Sequence, residues 1–225
     1  MIVRIINKEI IALKKSLKLA GVNGLALDVD ETLSFTIGYM INELMVCLGN
    51  PENLTVEEII EKYKHTDNIP YWQGEKAEEI LENIRNSNEI QGELPLIKNS
   101  NSIVNKINKI VPISAYITVR PSTILNGTKL WLQNNNFPKA TVITKPDKVL
   151  RKEGNQWKAK VLEYLYPEIL GIVDDNPDLA KYLSKSYKGT IFLYNNTEIM
   201  NKDIRIISCK DWEMVLLNIG KCRLV

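Results

Sequence analysis

Four carboxylates stand in two close pairs, Asp28-Val29-Asp30 and Asp174-Asp175, each closing a short apolar run: Leu25-Ala-Leu before the first, Gly171-Ile-Val before the second. In a strand, residues i and i+2 share a face, so Asp28 and Asp30 can address one substrate while Val29 points into the core. Carboxylates gathered at one sheet edge repel each other, and their pKa values rise unless a cation sits among them. An all-oxygen donor set of this kind suits Mg²⁺ or a similar hard cation. The chemistry open to it is phosphoryl transfer. One carboxylate attacks phosphorus, the other shuttles the leaving-group proton, and the metal with a lysine neutralises the phosphoryl oxygens.

Strand ends require strands, and the hydropathy pattern places them. Apolar runs with turn signals predict strands over 25–30, 113–118, 140–143, 171–173, 190–194 and 204–207. Between them, 3.6-residue periodicity predicts helices over 102–110, 122–134, 156–166, 177–187 and 211–219. This alternation means an α/β protein with a mostly parallel sheet, in which ligands bind beyond the carboxyl ends of the strands. Those ends carry Asp28 and Asp30, Thr118, and Asp174 with Asp175. Residues 37–96 break the alternation. Helices are expected over 37–48, over 55–64 behind the capping-box residues Thr55 and Glu58, and over 75–85. At the N-terminus, Ile6, Ile10, Leu13 and Leu17 lie at helical spacing among Arg4, Lys8, Lys14, Lys15 and Lys18. This helix, over 2–19, is expected to pack on its own domain; a membrane-surface or partner helix is the alternative.

Composition excludes several classes. With 225 residues and 44% hydrophobic content, the chain can bury a sizeable core without disulfide or metal staples. Three Cys at long, unrelated spacings, Cys47, Cys209 and Cys222, make neither a disulfide framework nor a zinc site. No apolar run approaches a membrane span and no signal peptide is evident, so a soluble cytoplasmic protein is expected. The net charge of +2 hides a distribution: +1 over residues 1–36, −8 over 37–96 and +9 over 97–225. The acidic block is foreign to its flanks and is a candidate insert, and so weak an overall charge argues against binding to a nucleic acid polymer. P-loop, dinucleotide and serine-hydrolase motifs do not occur.

Four segments in order carry a family resemblance. Asp28-Val-Asp-Glu-Thr32 resembles the DxDxT signature of the haloacid dehalogenase (HAD) superfamily, and Ile117-Thr-Val-Arg-Pro121 resembles its second motif. Lys158, near a helix start, resembles the third motif, and Asp174-Asp-Asn-Pro177 the fourth. The resemblance covers about residues 24–195. It implies a Rossmann-like three-layer parallel sheet formed by 1–36 and 97–225, with 1–20 as the N-terminal helix, and a small helical cap at 37–96. It further implies Asp28 as nucleophile and metal ligand, and Asp30 as general acid and base with its carbonyl on the metal. Thr118 would bind a phosphoryl oxygen, and Asp175 is the first choice for the remaining ligand, with Asp174 supporting it. Lys158 is the first choice for the phosphate lysine, with Lys145 and Lys160 as alternatives. Thr32 and Arg120 are candidate substrate contacts; Arg120 could equally hold its own loop rigid beside Pro121.

The implied activity is Mg²⁺-dependent hydrolysis of a small phosphate ester, with nucleotides among the candidates. A phosphotransferase or mutase using the same Asp28, or a binding protein whose site is idle, are the alternatives. Oligomeric state is not legible. The cap acids Glu57, Glu58, Glu61, Glu78, Glu79 and Glu82 are expected to face solvent. His65 is expected to be a surface residue, Tyr71-Trp72 to pack between cap helices, and Cys47 to be a buried small hydrophobe.

Overall fold

The structure, a computed structural model, describes residues 6–222. Arg4 and the first part of the helix expected over 2–19 lie outside these residues. The chain runs α1 (Lys8–Ala20), β1 (Gly24–Leu27), α2 (Thr36–Leu48), α3 (Val56–Tyr63), α4 (Glu75–Asn86), α5 (Asn88–Glu93) and α6 (Ser100–Ile107). It continues with β2 (Ile113–Pro121), α7 (Leu125–Asn134), β3 (Thr141–Lys145), α8 (Gly154–Leu165), β4 (Ile169–Asp174), β5 (Thr190–Tyr194), β6 (Arg205–Cys209) and α9 (Trp212–Lys221). No helix among the described residues is long and apolar enough to cross a membrane.

The six strands pair in the order β3-β2-β1-β4-β5-β6, every pair parallel. Side-chain alternation splits each buried strand between two cores. Leu25 and Leu27 of β1, with Tyr116, Val173 and Phe192, face α6, α7 and α9 through Val104, Trp131 and Trp212. Ala26, with Ile117, Ile172 and Ile191, faces α1 and α8 through Ile10, Leu13, Trp157 and Leu162. The result is the α/β protein with a parallel sheet expected from the alternation, in the three layers that the resemblance implied. Crossovers to β2 and β3 run over the first face, and the chain returns to β4 by α8 on the second. The order therefore reverses between β1 and β4, where such sheets open a crevice at the strand ends.

A third apolar cluster is drawn from residues between Ile37 and Leu81, including Ile41 and Leu44 of α2, Ile59 of α3 and Leu81 of α4. The Thr55–Glu58 capping box forms at the start of α3, each residue bonding the other's backbone N–H. Trp72 is buried in this cluster and donates Nε1 to Gly49 O at 3.0 Å, so Tyr71-Trp72 does pack between the helices. By contrast α5, which the sequence pattern does not reveal, joins the first core: Ile90 and Leu94 pack there, and Asn88 Oδ1 accepts Gly127 N of α7 at 2.6 Å.

Several expectations need correction. The first strand stops at Leu27, because beyond Asp28 the backbone coils into a turn in which Leu33 N and Ser34 N both donate to Val29 O. The helix expected over 177–187 is only a 3₁₀ segment, Pro177–Tyr182; Leu183 turns to extended backbone and Glu163 of α8 captures Ser184 N at 2.6 Å. The helix expected over 122–134 starts as a 3₁₀ turn, Ser122–Ile124. Cys47 is exposed, not buried. Ile41 and Leu44 define the buried stripe of α2, and Cys47 falls beside it.

Candidate active site

The turn after β1 brings the acid pairs together. Asp28 leaves β1 with its N–H on Val173 O of β4 at 2.9 Å, so the ends of β1 and β4 are tied at the reversal point. Asp174, the last residue of β4, is fully buried beside it. Lys158, in the second turn of α8, reaches both: its Nζ lies 2.7 Å from Asp174 Oδ2 and 2.8 Å from Asp28 Oδ1. The contact to Asp174 is an aligned hydrogen bond; the contact to Asp28 is a close ion pair, and Asp28 Oδ1 has no other donor. Asn176 N occupies the other Asp174 oxygen at 2.9 Å. Asp175 accepts the Thr32 hydroxyl at 3.4 Å.

Acceptor atoms of Asp28, Asp174 and Asp175 all lie within 4.8 Å of one another. Burial pushes the Asp28 carboxyl up to about 7, helped by Asp174 and Asp30, although Lys158 opposes the shift. Asp175 is likewise raised, by burial first and then by Asp174 and Asp28. Burial disfavours the charge on Lys158, yet Asp174 and Asp28 hold its pKa above the ordinary lysine value. Two buried carboxylates and a half-buried third, with one ammonium among them, leave excess negative charge. This donor set fits a hard divalent cation.

Asp30 stands apart from the cluster. Arg120, on β2, forks onto it, with Nη2 2.7 Å from Oδ1 and Nε 3.1 and 3.0 Å from the two oxygens. The same guanidinium donates to Ser34 and Thr128, and the Thr36 hydroxyl donates to Asp30 Oδ1 at 2.6 Å. Burial works against ionisation of Asp30, but Arg120 and Thr36 outweigh it and hold the carboxyl below its usual range. The contact that Arg120 makes, a grip on Asp30, is neither of the two roles expected of it. Thr118 is buried, and its hydroxyl accepts Arg120 N at 3.2 Å. Thr32 is buried as well, and its contact is Asp175.

The three lysines separate by position. Lys158 enters the acid cluster. Lys145, at the end of β3, lines the cleft instead. Lys160 is partly exposed and pairs with no acid among the described residues. The cleft, of about 440 Å³, lies between the body and α2–α4; Asp30, Arg120 and Lys145 line one side, Met40, His65 and Arg85 the other. His65 is exposed, as expected, and stands on the cleft wall. Glu78 and Glu82 face solvent while holding Arg85 Nη1 at 3.1 and 2.9 Å. A larger groove, about 1070 Å³, between α1, α7 and β3, is lined by none of these carboxylates.

Glu31 escaped the sequence reading, although it stands inside the first motif. It adopts a left-handed backbone (φ 54°), lines the cleft, and accepts Ile37 N at 2.6 Å, so it caps α2, whose own N-cap Phe35 offers no side-chain bond. Burial pushes its carboxyl up to about 8.

Among solved structures, the chain is similar to a HAD-superfamily hydrolase from Ehrlichia chaffeensis: 14% identity, 88% of this chain and 96% of that one, TM-score 0.49. It is also similar to a HAD family hydrolase from Deinococcus radiodurans R1 with bound phosphate and sodium, at 12% identity, 90% and 98% coverage and TM-score 0.43. A third is cytosolic 5'-nucleotidase IIIB bound to cytidine, at 13% identity, 95% and 91% coverage and TM-score 0.39. Two of these neighbours are HAD hydrolases and the third is a 5'-nucleotidase. No protein-family pattern and no curated protein matches the chain.

Proposed function

We propose that this chain is a Mg²⁺-dependent phosphomonoester hydrolase acting on a small phosphate ester through an aspartyl-phosphate at Asp28. The observation that carries the reading is the Lys158 bridge between Asp28 and Asp174, with Asp175 completing an acid cluster at the sheet's reversal point. An idle binding site has no need to bury Asp28 and Asp174 beside a third carboxylate, at a cost of several kcal/mol per buried ion.

Asp28 supplies the attacking oxygen: an Asp28 oxygen bonds to phosphorus as the ester P–O bond breaks, and the leaving oxygen takes a proton from the protonated form of Asp30, the minor form beside Arg120. Water then gives a proton to Asp30 and attacks phosphorus, the bond to Asp28 breaks, and phosphate leaves. Lys158 orients Asp28 and offsets negative charge as the oxygens gather. Thr118, whose hydroxyl oxygen accepts Arg120 N, has its own O–H to donate to a phosphoryl oxygen. A bound Mg²⁺, held by Asp28 and Asp175 with the Asp30 carbonyl and supported by Asp174, would offset the remaining phosphoryl charge.

The unit 37–96 serves as the cap, with α2–α4 over the cleft and α5 fastened to α7. A cleft of about 440 Å³ suits a small molecule rather than a polymer. In the test, purified protein with Mg²⁺ releases phosphate from p-nitrophenyl phosphate, and Asp28→Asn abolishes release. Wild-type inactivity across a broad panel of phosphate esters overturns the reading. Added alcohols or sugars separate hydrolysis from transfer, because a transferase yields a new ester.

A further inference from the structure

The cations nearest the chemistry already have carboxylate partners: Lys158, buried behind the cleft, pairs with Asp28 and Asp174, and Arg120, on the cleft wall, with Asp30. Lys145 does not. It is 7% exposed and lines the cleft, and its Nζ donates to two backbone carbonyls, Val149 O at 2.6 Å and Pro146 O at 3.4 Å. No carboxylate among the described residues forms an ion pair with it. An ammonium has three N–H groups, so one donor and a whole countercharge are missing. A buried charge without a counter-ion is costly in a folded protein unless something completes it.

The cap contributes a second incomplete group to the same cleft. The Arg85 side chain is 12% exposed; Glu78 and Glu82 hold its Nη1, whereas its Nη2 is buried with no acceptor. Of the acids on the cleft wall, Asp30 is taken by Arg120, Glu82 by Arg85 and Asn86, and Glu31 by Ile37 N, while Asp67 is exposed. Beyond the reaction centre, an ammonium from the body with no carboxylate partner and a guanidinium from the cap whose Nη2 has no acceptor thus stand on the walls of one cavity.

We propose that Lys145 and Arg85 together bind a second anionic oxygen group of the substrate, a carboxylate or a second phosphate, so that the preferred esters carry one. This deepens the phosphatase reading and rests on it. It also narrows the class, since nucleoside monophosphates, with no acid beyond the transferred phosphate, become the poorer substrates. Burial lowers the pKa of Lys145 despite Asp147 and Glu153, as expected of an ammonium whose counter-anion arrives with the ligand.

The test uses two esters that differ in the second anion alone, 3-phosphoglycerate and glycerol 3-phosphate. Calorimetry with the turnover-blocked Asp28→Asn protein and Mg²⁺ reads their Kd ratio. The acid-bearing ester is expected to bind about 10- to 100-fold tighter, the range for hydrogen bonds to charged groups. Lys145→Met and Arg85→Met, each added to that background, should bring the ratio toward one, and Lys145→Arg should restore part of it. A ratio near one in the Asp28→Asn protein overturns the proposal. So does a Lys145→Met protein that weakens both esters equally, since Lys145 would then serve the transferred phosphate. Arg85→Met provides an independent reading if Lys145→Met does not fold. Phosphate release by the wild type from either ester, measured alongside, judges the hydrolase reading separately.

Discussion

Arg120 holds Asp30 by a fork, Nη2 at 2.7 Å from Oδ1 and Nε at 3.0 Å from Oδ2, so the group proposed to donate a proton is kept ionised at rest. Proton donation by Asp30 sets the alkaline limb of the pH–rate profile. Replacing Arg120 by Met removes the charge that depresses Asp30, and the limb is expected to move up by about 1–3 pH units, with a lower maximum. Lys, a point charge without the fork, should give an intermediate shift. An unmoved limb in Arg120→Met would show that Asp30 is not the proton donor.

Lys158→Met leaves Asp28 and Asp174 facing each other with no cation between them. Removing one partner of a buried ion pair costs about 3–5 kcal/mol, and denaturant unfolding of the metal-free protein should show a loss of that size. Lys160→Met, at a partly exposed position, should change stability by less than about 0.5 kcal/mol.

Stability of the metal-free protein should fall as pH rises from 5 to 8. Asp28 and Glu31 have folded-state pKa values of about 7 and 8, above their ordinary 3.8 and 4.5, and Asp175 is raised as well. A raised carboxyl binds its proton more tightly when folded, so its stabilisation is complete below the ordinary pKa and is lost as pH climbs through the folded value. Asp30 is depressed and acts oppositely, but its contribution is lost only on acidification below about pH 4. Thermal melts in EDTA across this range should show the decline. Adding Mg²⁺, which binds the ionised forms, should raise Tm most at pH 8. A flat profile in EDTA would contradict the buried acid cluster.

Glu31→Ala removes the cap from the N-terminus of α2 and should cost about 1 kcal/mol in denaturant unfolding. Glu31→Gln keeps an oxygen that can accept Ile37 N at a position where burial already favours the neutral form, so it should be nearly silent in stability at pH 7. A Gln variant as damaged as Ala would assign Glu31 a role that needs its charge.

Much of this was legible because it is local. The Thr55–Glu58 box forms within one turn, and the apolar runs ending in acid pairs write both strand and site into a few consecutive residues. Local pattern failed where distant partners intervene. Glu163 ends the 3₁₀ segment Pro177–Tyr182, and Gly127 receives the otherwise unremarked α5. Cys47 was misplaced because the apolar face of α2 is narrower than its composition.

By itself, the sequence determined which residue types are available and on which elements they ride: Asp28 and Asp30 behind β1, Asp174 and Asp175 behind β4, and lysines at 145, 158 and 160. Only the tertiary structure decided which lysine meets the acids, that Arg120 serves Asp30, and that Lys145 faces the cleft without a countercharge. Periodicity records burial against the nearest layer, whereas ion pairing depends on where separate elements cross. Here α8 passes the reversal between β1 and β4 so that its second turn places one ammonium within 2.8 Å of two carboxylates from different strands.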